Sequence, residues 1–396
     1  MKIESIRIRN YKVFKDVYIK DLPNFMIVVG ANGTGKSTLF DVFGFLHDCL
    51  IGNVRQAIDS RGRFREVLSR DSEDQVIFFE IQYRMQILTY DRLVTYTLEI
   101  GQKNNVPYVK KEALRYKRGQ YGAPFYFLNF SDGHGYAISN EEDFNKPDED
   151  LEREDASLGS SDILAIKGLG QFDRFKAANA FRRLIESWHV SDFHITSARG
   201  RVETTGMSEH LSESGDNLAR VAQYIFEQHP DTFNKIISTM KSRVPGVSNI
   251  EPVLTADGYL TLRFQDGAFK TPFLDRYVSD GTIKMFAYLV LLYDPDAHPL
   301  LCVEEPENQL YPHLMTELAE EFRLYANRGG QVLVSTHSPD FLNAAQIEEV
   351  FWLVKKDGYT SIMRASENEQ LRDYMNLGDK MGYLWKQGFF DGADPQ

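Results

Sequence analysis

The stretch "FMIVVGANGTGKST", from Phe25 to Thr38, joins an apolar run to a glycine-rich turn. The apolar run predicts a buried strand, and the residues after the turn, "STLFDVFGFLHDCL", predict a helix. The turn has the pattern GxxxxGK[ST], whose backbone N–H groups cradle phosphate when it links a strand to a helix. The sequence therefore predicts an α/β fold with a phosphate-binding loop (P-loop) at the end of a strand.

Each position of this loop has its own physical role. Glycines at positions 30, 33 and 35 allow a tight turn with inward-pointing N–H groups. The ammonium of Lys36 is expected to bridge the β and γ phosphates of ATP, and the hydroxyl of Ser37 to coordinate Mg²⁺. The expected nucleotide-binding residues of the loop are Gly30, Asn32, Gly33, Thr34, Gly35, Lys36, Ser37 and Thr38.

A second informative stretch is "LLCVEEPENQLYP", from Leu300 to Pro312. Taken alone, its acidic residues fit the frayed end of a strand before a proline-initiated turn. In a P-loop enzyme, however, an acidic residue at the end of a neighbouring strand holds the water shell of Mg²⁺. We therefore expect Glu304 on the metal side, and Glu305 as the catalytic carboxylate that polarises the attacking water.

Composition indicates an ordinary folded protein, since 42% of the 396 residues are hydrophobic and 26% are charged. The 57 acidic and 45 basic side chains give a net charge of -12, which argues against long-range attraction to nucleic acid but allows a local basic patch. Cys49 and Cys302 lie in apolar stretches, which favours reduced thiols and a cytoplasmic location. The apolar run "FAYLVLLY" is too short to cross a membrane, so no membrane association is expected.

The segments "YVSDGTIKMFAYLVLL", "LLCVEEPENQLYPHL" and "VLVSTHSPDFL" follow one another in the last third of the chain. Their order and spacing resemble those of the ATP-binding-cassette (ABC) ATPases, in particular the branch with the SMC and RecF proteins and related stand-alone AAA-type ATPases. The resemblance implies an α/β, ABC/SMC-like P-loop ATPase head with a mixed, largely parallel sheet core, an antiparallel β subdomain and a compact inserted lobe. It also implies ATP and Mg²⁺ as cofactors. The chain has no heptad run, so the insert is not expected to be the long coiled coil of SMC proteins.

By the same resemblance, Ser279 and Gly281 occupy the signature loop, which in the family touches the γ phosphate held by a second subunit. A helix N-terminus with an exposed hydroxyl and a glycine suits an anion, although Ser279 or Asp280 could also be a plain N-cap. Asn308 matches the loop that crosses the dimer interface in the family. The resemblance therefore implies a homodimer that forms on ATP binding.

His337, in "STHS", matches the switch histidine of the family, which contacts the γ phosphate. Taken alone, a histidine after a strand is usually structural. Gln75 matches the glutamine that senses Mg²⁺, with Gln56 and Gln82 as alternatives. The resemblance thus implies Glu305 and His337 as catalytic residues, and Ser37, Glu304 and Gln75 as residues on the metal side.

Two features depart from the usual family pattern. Glutamate stands at position 304, where the family usually has aspartate, and its longer side chain places the metal or its water shell slightly further out. The signature reads Ser-Asp-Gly-Thr, not the Ser-Gly-Gly-Gln of membrane transporters, which favours the RecF-like branch.

The chain is expected to divide into three segments. Residues 1–100 form the N-terminal half of the ATPase with the P-loop and β subdomain. Residues 101–245 form the inserted lobe and helical region, with an acidic mobile loop at 141–155. Residues 246–396 form the C-terminal half, with the signature, the acidic strand (Walker B), the switch histidine and a C-terminal helix. Only 59 residues (396 minus 337) follow His337, too few for the nuclease domain of related fused ATPases, so nuclease or toxin activity is expected in a separate partner.

Three functional hypotheses fit these features. The first is an ATP-gated dimer that regulates a separate effector protein, as similar ATPases do in anti-phage defence. The second is a RecF-like DNA repair or recombination ATPase that binds duplex DNA through "VKKEALRYKRG" and the arginines between positions 55 and 65, although such charges also suit a solvated face. The third is a nucleotide-dependent scaffold with little hydrolysis, against which Glu305 and His337 argue.

Overall fold

The computed structural model describes residues 2–87, 90–116, 125–139, 152–191, 193, 198, 202–203 and 208–393. Strands and helices are numbered in chain order. Within these residues, the P-loop strand lies inside a six-stranded sheet with the order β10 (Trp188–Ser191), β15 (Leu300–Glu304), β16 (Gln331–Ser335), β3 (Phe25–Val29), β17 (Val350–Lys356) and β18 (Tyr359–Arg364). The first five strands are parallel and β18 is antiparallel to β17, as expected for a mixed, largely parallel core.

A second, antiparallel sheet is built from aromatic and β-branched sequence near the N-terminus. Among the described residues its order is β2 (Phe14–Ile19), β1 (Lys2–Tyr11), β4 (Ile77–Ile87), β5 (Tyr90–Lys103), β6 (Val106–Tyr116), β7 (Phe125–Ser131), β8 (His134–Ile138) and β9 (Arg153–Ser157). Strands β4 and β5 form an antiparallel hairpin within this sheet.

Two expected boundaries need correction. The division at residue 100 falls inside β5, because the same sheet continues without a break into β6. The end of the acidic segment 141–155 is strand and not loop, since Arg153 to Asp155 belong to β9 and pair with β8. Positions 141–151 lie outside the described residues.

The remaining described strands form a smaller antiparallel sheet of β11 (Val202–Glu203), β12 (Val247–Leu254), β13 (Tyr259–Asp266) and β14 (Phe273–Leu274). The helices described are α1 (Lys36–Ile51), α2 (Val54–Asp59), α3 (Phe64–Val67), α4 (Ala165–Leu169), α5 (Lys176–Glu186), α6 (Leu218–Gln228), α7 (Pro230–Arg243), α8 (Asp280–Leu292), α9 (Leu314–Asn327), α10 (Pro339–Leu342), α11 (Glu369–Asn376) and α12 (Met381–Lys386). None of these helices is both long and apolar enough to span a bilayer.

The central sheet separates two apolar cores. Along β15, Leu300 and Cys302 pack into the core that contains α1 and the antiparallel sheet, whereas Leu301 and Val303 pack into the core that contains α8 and α9. This alternation follows from the two-residue period of a strand, and it explains why the strands of this sheet are apolar on both faces. A sheet held on both sides gives fixed positions to the loops at its strand ends.

A buried carboxylate joins the antiparallel sheet to α4. Glu112 in β6 is fully buried and accepts hydrogen bonds from the backbone N–H groups of Ala165 and Ile166 and from the hydroxyl of Tyr96. Burial raises the pKa of Glu112 to about 7, although these three donors oppose the increase. The carboxyl group therefore replaces a side-chain cap at the N-terminus of this short helix.

Candidate nucleotide-binding site

Three neighbouring strands of the central sheet bring the candidate residues together. Because β15, β16 and β3 are parallel neighbours, their carboxyl ends lie along one edge of the sheet. The register pairs Glu304 with Ser335, and Ser335 with Val28. The P-loop, the loop after Glu304 and the loop after Ser335 therefore begin side by side.

The P-loop adopts the tight turn that its glycines allow. Gly33 and Gly35 have φ angles of 77° and 99°, in the left-handed region that favours glycine. A Cβ on Gly35 would lie 2.6 Å from Cγ2 of Val13, whereas a Cβ on Gly33 would meet nothing within 4 Å. The turn is also held by a hydrogen bond from the Thr34 hydroxyl to the carbonyl of Ala31 (2.8 Å). One side of the loop is therefore packed against the protein and the other is open.

Lys36 is folded into the loop. Its Nζ donates to the carbonyl oxygens of Gly30 (2.8 Å) and Ala31 (3.3 Å), and only 6% of the residue is exposed. Burial lowers the pKa of Lys36, while Glu305, Glu304 and Glu307 oppose the decrease. The ammonium group thus lies in the field of three carboxylates at the strand ends.

The residues around the open side of the loop fit a nucleotide with Mg²⁺. Ser37 and Asn32 are exposed, and Glu304 is half-buried at the end of β15. The N-cap of α1 is Gly35, which offers no side chain to satisfy the first N–H groups of the helix. Free helix N–H groups, a lysine, a hydroxyl and a carboxylate are the donor set that binds phosphate and Mg²⁺.

Glu305 and His337 are in direct contact. Nε2 of His337 lies 3.1 Å from Oε1 of Glu305, and the side-chain amide of Asn308 donates to Oε2 of Glu305 (3.0 Å). Glu305 has a left-handed φ of 42°, and its N–H donates to the carbonyl of Ser335 (3.0 Å). Burial and the charge of Lys36 lower the pKa of His337, whereas Glu305 opposes the decrease. The Glu305 side chain is therefore oriented by His337 and Asn308, yet it is still 37% exposed and accessible to solvent.

Glu307 was not singled out by sequence, although it lies in the same acidic stretch. Its carboxylate accepts a hydrogen bond from the backbone N–H of His337. Burial raises the pKa of Glu307, and this N–H opposes the increase. Glu307 thus fixes the backbone at His337. The only available signal was its spacing of two residues from Glu305, and that spacing does not distinguish a buried acid from a solvated one.

Ser279 and Gly281, which were expected to form the signature loop, lie at the start of α8. Ser279 is exposed, and its hydroxyl contacts the N–H (3.3 Å) and hydroxyl (2.8 Å) of Thr282, so the N-cap interpretation is correct for this residue. Gly281 is buried, and a Cβ there would lie 3.2 Å from the carbonyl oxygen of Gln309. These contacts lie within α8 and with the loop after β15, and none of them joins Ser279 to the P-loop of the same chain.

The three candidate glutamines occupy different places. Gln75 is exposed just before β4, and its amide donates to the carbonyl of Ser72 (3.1 Å). Gln82 lies inside β4 and accepts from the hydroxyl of Ser5 (3.1 Å), whereas Gln56 lies on α2. The described hydrogen bonds of Gln75 and Gln82 do not reach the P-loop, so the assignment of Gln75 to the metal side stays a prediction.

A polar cluster around Asp41, on helix α1, was also missed by sequence. Asp41 accepts from Nε of Arg61 (2.7 Å), from the hydroxyl of Tyr11 (2.6 Å) and from the ammonium of Lys12 (2.5 Å). Burial alone would raise the pKa of Asp41, but Arg61 and Lys12 lower it below its usual range. Only 13% of the Arg61 side chain is exposed. This arginine therefore anchors the P-loop helix and is not part of a solvated basic face.

Comparison with solved structures shows the fold of SMC heads. The match to a crystal structure of the SmcHead bound to the C-winged helix domain of ScpA covers 92% of this chain and 97% of the SmcHead chain, with a TM-score of 0.54 and 15% identity. A second match is to the Smc head domain with an extended coiled coil, bound to the C-terminal domain of ScpA and derived from Pyrococcus furiosus. It covers 94% of this chain and 99% of that chain, with a TM-score of 0.52 and 12% identity.

Sequence comparison adds a distant relative. The Old nuclease of Escherichia phage P2 is 22% identical over 223 residues, which cover 46% of this chain. The match spans 38% of the length of that phage protein.

The fold is that of SMC heads, with a P-loop motif at the end of β3. More particularly, the chain belongs to the family described as "AAA domain, putative AbiEii toxin, Type IV TA system", whose model matches residues 25–343.

Proposed function

We propose that this chain binds ATP with Mg²⁺ at the P-loop and hydrolyses it, with Glu305 as the base. The observation that carries the proposal is the 3.1 Å contact between His337 and Glu305. Glu305 also lies close enough to Lys36 of the P-loop to affect the pKa of this lysine. A carboxylate that is oriented by neighbours and accessible at one edge is suited to accept a proton from water. His337, in the loop after β16, would contact the terminal phosphate.

The other residues of the site would bind and position the nucleotide. Bound ATP and Mg²⁺ supply the phosphoanhydride and neutralise its charge. Lys36 would exchange the carbonyl oxygens of Gly30 and Ala31 for phosphate oxygens. Ser37 and Glu304 would hold the ion or its water shell from the helix start and the strand end. Gln75 is proposed as a further group on the metal side.

We further propose that two copies close on ATP. Ser279 is exposed at a helix N-terminus, and its contacts are with its own helix and not with the P-loop of the same chain. A signature loop that lies apart from its own nucleotide site is suited to cover the site of a second copy. Asn308 would then lie at the interface, since it follows Glu305 in the loop that packs on α8.

The dimer would regulate a separate effector protein in anti-phage defence. The family description names a toxin and a toxin–antitoxin system, and the distant phage relative is a nuclease. The SMC head that shares this fold was crystallised with a winged-helix domain of another protein. These likenesses support a partner of nuclease or toxin type, cytoplasmic like the proposed ATPase.

The alternative of a RecF-like ATPase that binds duplex DNA has weaker support. Of the proposed basic residues, Arg61 is paired with Asp41 and Asp48. In the other basic segment, Arg115 contacts Glu80 (3.2 Å) and Lys110 contacts Glu99 (3.5 Å). Each such pair removes a cation that would otherwise neutralise a phosphate.

The test is ATP turnover by the purified chain in Mg²⁺, with and without duplex DNA. We expect turnover that is unaffected by DNA, and a drop of ~100-fold or more for Glu305→Gln, which keeps the shape but removes the base. Glu348→Gln, at an exposed glutamate, is the matched control. Turnover by Glu305→Gln at the wild-type rate would exclude Glu305 as the base, and stimulation by DNA would favour the repair ATPase.

A further inference from the structure

A group of histidines lies at the opposite edge of the central sheet from the nucleotide site. His298 lies two residues before the start of β15, His189 lies near the start of β10, and Asp294 follows the end of α8. His210 joins them from the segment before α6, with its Nδ1 2.9 Å from Oδ2 of Asp294. The Asp294 side chain is only 2% exposed, so this is a buried carboxylate and not a solvated acidic patch.

Three side-chain atoms converge on one point. Nε2 of His298 lies 4.0 Å from Oδ2 of Asp294, and the ligand atoms of His210, Asp294 and His298 all lie within 4.8 Å of one another. Ligands of a tetrahedral Zn²⁺ ion are roughly 3.3 Å apart, given metal–ligand bonds of about 2.0–2.1 Å. Small side-chain movements would therefore place all three atoms around one ion.

The neighbours of His298 determine which of its nitrogens is free. Nδ1 lies 3.0 Å from the backbone carbonyl of Ser187, which can only accept, so Nδ1 carries the proton. Nε2 then presents a lone pair. This atom is buried and has no hydrogen-bond partner among the described residues. A histidine ligand commonly donates its second N–H to a carbonyl in this way.

Asp294 is arranged in the same manner. One carboxylate oxygen, Oδ1, accepts from the backbone N–H of Asp296 (2.9 Å), which leaves Oδ2 to face the two histidines. Oδ2 thus lies 2.9 Å from Nδ1 of His210 and 4.0 Å from the lone pair of His298 Nε2. Two electron-rich atoms held this close in a buried place favour the binding of a positive group between them.

His189 completes the surroundings. Its ring stacks on that of His298 with centroids 4.9 Å apart, and its Nε2 is likewise buried without a hydrogen-bond partner in the described part of the chain.

We propose that His210, Asp294 and His298 bind a divalent transition-metal ion, with Zn²⁺ as the best match, at a site separate from the Mg²⁺ site of the P-loop. Two imidazoles and one carboxylate form a donor set that suits Zn²⁺ and is poor for Mg²⁺, which prefers oxygen ligands. His189 lies beside the set as a candidate fourth ligand.

The position of the ion gives it a structural role. Asp294 follows α8, which begins at the signature loop, and His298 precedes β15, which ends at Glu304. An ion held by both residues would fix the connection between these two consecutive elements. We therefore expect Zn²⁺ to raise the melting temperature of the full chain, because an ion that binds only the folded state stabilises it.

The test is Zn²⁺ titration of chelator-treated full-length protein by calorimetry, with Co²⁺ absorption as a probe of coordination. We expect one ion per chain and a tetrahedral Co²⁺ spectrum, both retained in Lys36→Ala, which disrupts the P-loop. His298→Ala should weaken Zn²⁺ binding by more than the ~10- to 100-fold that loss of an outer-shell partner costs. Asp294→Asn, which keeps the side-chain shape, should weaken it as well. His134→Ala, at an exposed histidine of the antiparallel sheet, should not.

Each outcome is decisive. Failure of the wild-type chain to bind Zn²⁺ or to give the Co²⁺ spectrum would overturn the proposal without reference to any variant. Equal Zn²⁺ affinity in the wild type and in folded Asp294→Asn would also overturn it, and would leave the His210–Asp294 contact as a simple hydrogen bond.

Discussion

The ammonium of Lys284 donates a hydrogen bond to the backbone carbonyl of Asn308 (2.8 Å). Lys284 is only 3% exposed and lies on α8, one turn beyond Gly281, which packs against the carbonyl of Gln309. The start of α8 and the loop after Glu305 are thus attached at two points. In the proposed dimer, the two segments would reach the interface as one unit.

Replacement of Lys284 by methionine tests this attachment. The variant keeps an unbranched side chain but loses the donor, so ATP-dependent dimerisation should weaken roughly 10- to 100-fold, as expected for a charged hydrogen bond of about 1.5–3 kcal/mol. Fluorescent-nucleotide binding to the monomer should change little. Light scattering across a concentration series measures the dimer, and Lys235→Met, at an exposed position on α7, is the control. Dimerisation equal to the wild type would show that the attachment has no role at the interface.

A mixing experiment tests whether two chains build each nucleotide site. Ser279→Arg should keep an intact P-loop but block the nucleotide site of the partner subunit. Lys36→Ala should lose nucleotide binding at its own P-loop but keep an intact signature loop. Each variant alone should be inactive. An equimolar mixture should regain a substantial fraction of turnover, because the P-loop of the first variant meets the signature of the second. Full activity of Ser279→Arg alone, or no recovery in the mixture, would contradict a shared site.

Variants of the two neighbouring glutamates, Glu304 and Glu305, should differ in their effect on the ATP-bound state. Glu305→Gln should bind ATP and remain a stable dimer, since only the base is lost. Glu304→Gln should release nucleotide more easily and depend more steeply on Mg²⁺, because charge is removed from the metal side. Size-exclusion chromatography with light scattering in ATP and Mg²⁺ distinguishes the two. Identical elution of the variants would return both residues to the simple interpretation of a frayed strand end.

The buried Glu112 predicts a pH-dependent stability. Its pKa is about 7 in the folded state and near 4.5 when exposed, so between these pH values the folded chain binds more protons than the unfolded chain. The free energy of unfolding should therefore fall as pH rises through this range, by roughly 3 kcal/mol from this group, and then level off above about pH 7. Glu112→Gln, which stays neutral, should lose this part of the slope in thermal unfolding. Glu73→Gln, at an exposed position, should keep it; an unchanged slope in Glu112→Gln would refute the assignment.

The sequence was sufficient to find strands of the central sheet and the polar residues at their ends. The P-loop strand, β15 and β16 were each recognisable from an apolar run followed by a short polar motif, and parallel pairing then placed their ends together. The class of fold followed from the same motifs. The positions of Glu305 and His337 were proposed for the same reason, and the structure places their side chains in contact.

The sequence was insufficient where a site depends on distant partners. His210, Asp294 and His298 have no shared motif, and only the fold brings them within reach of one another. The charge of Arg61 was visible, but its pairing with Asp41 depends on how α1 packs. Strand β9 could not be predicted because its acidic residues indicate solvent exposure, whereas its pairing with β8 depends on backbone hydrogen bonds.

The position of β3 in its sheet has a consequence for biosynthesis. Its partner strands follow it at a long distance in the chain, since Phe25 pairs with Val332 and Ile27 with Val350. A ribosome-bound chain would therefore carry the P-loop strand without either neighbour until β16 and β17 have been made. Such late closure slows folding and leaves an apolar strand edge exposed to other nascent chains. Competence to bind nucleotide would then be acquired only after β16 and β17 have joined the sheet, so a chain that stops before them would lack it.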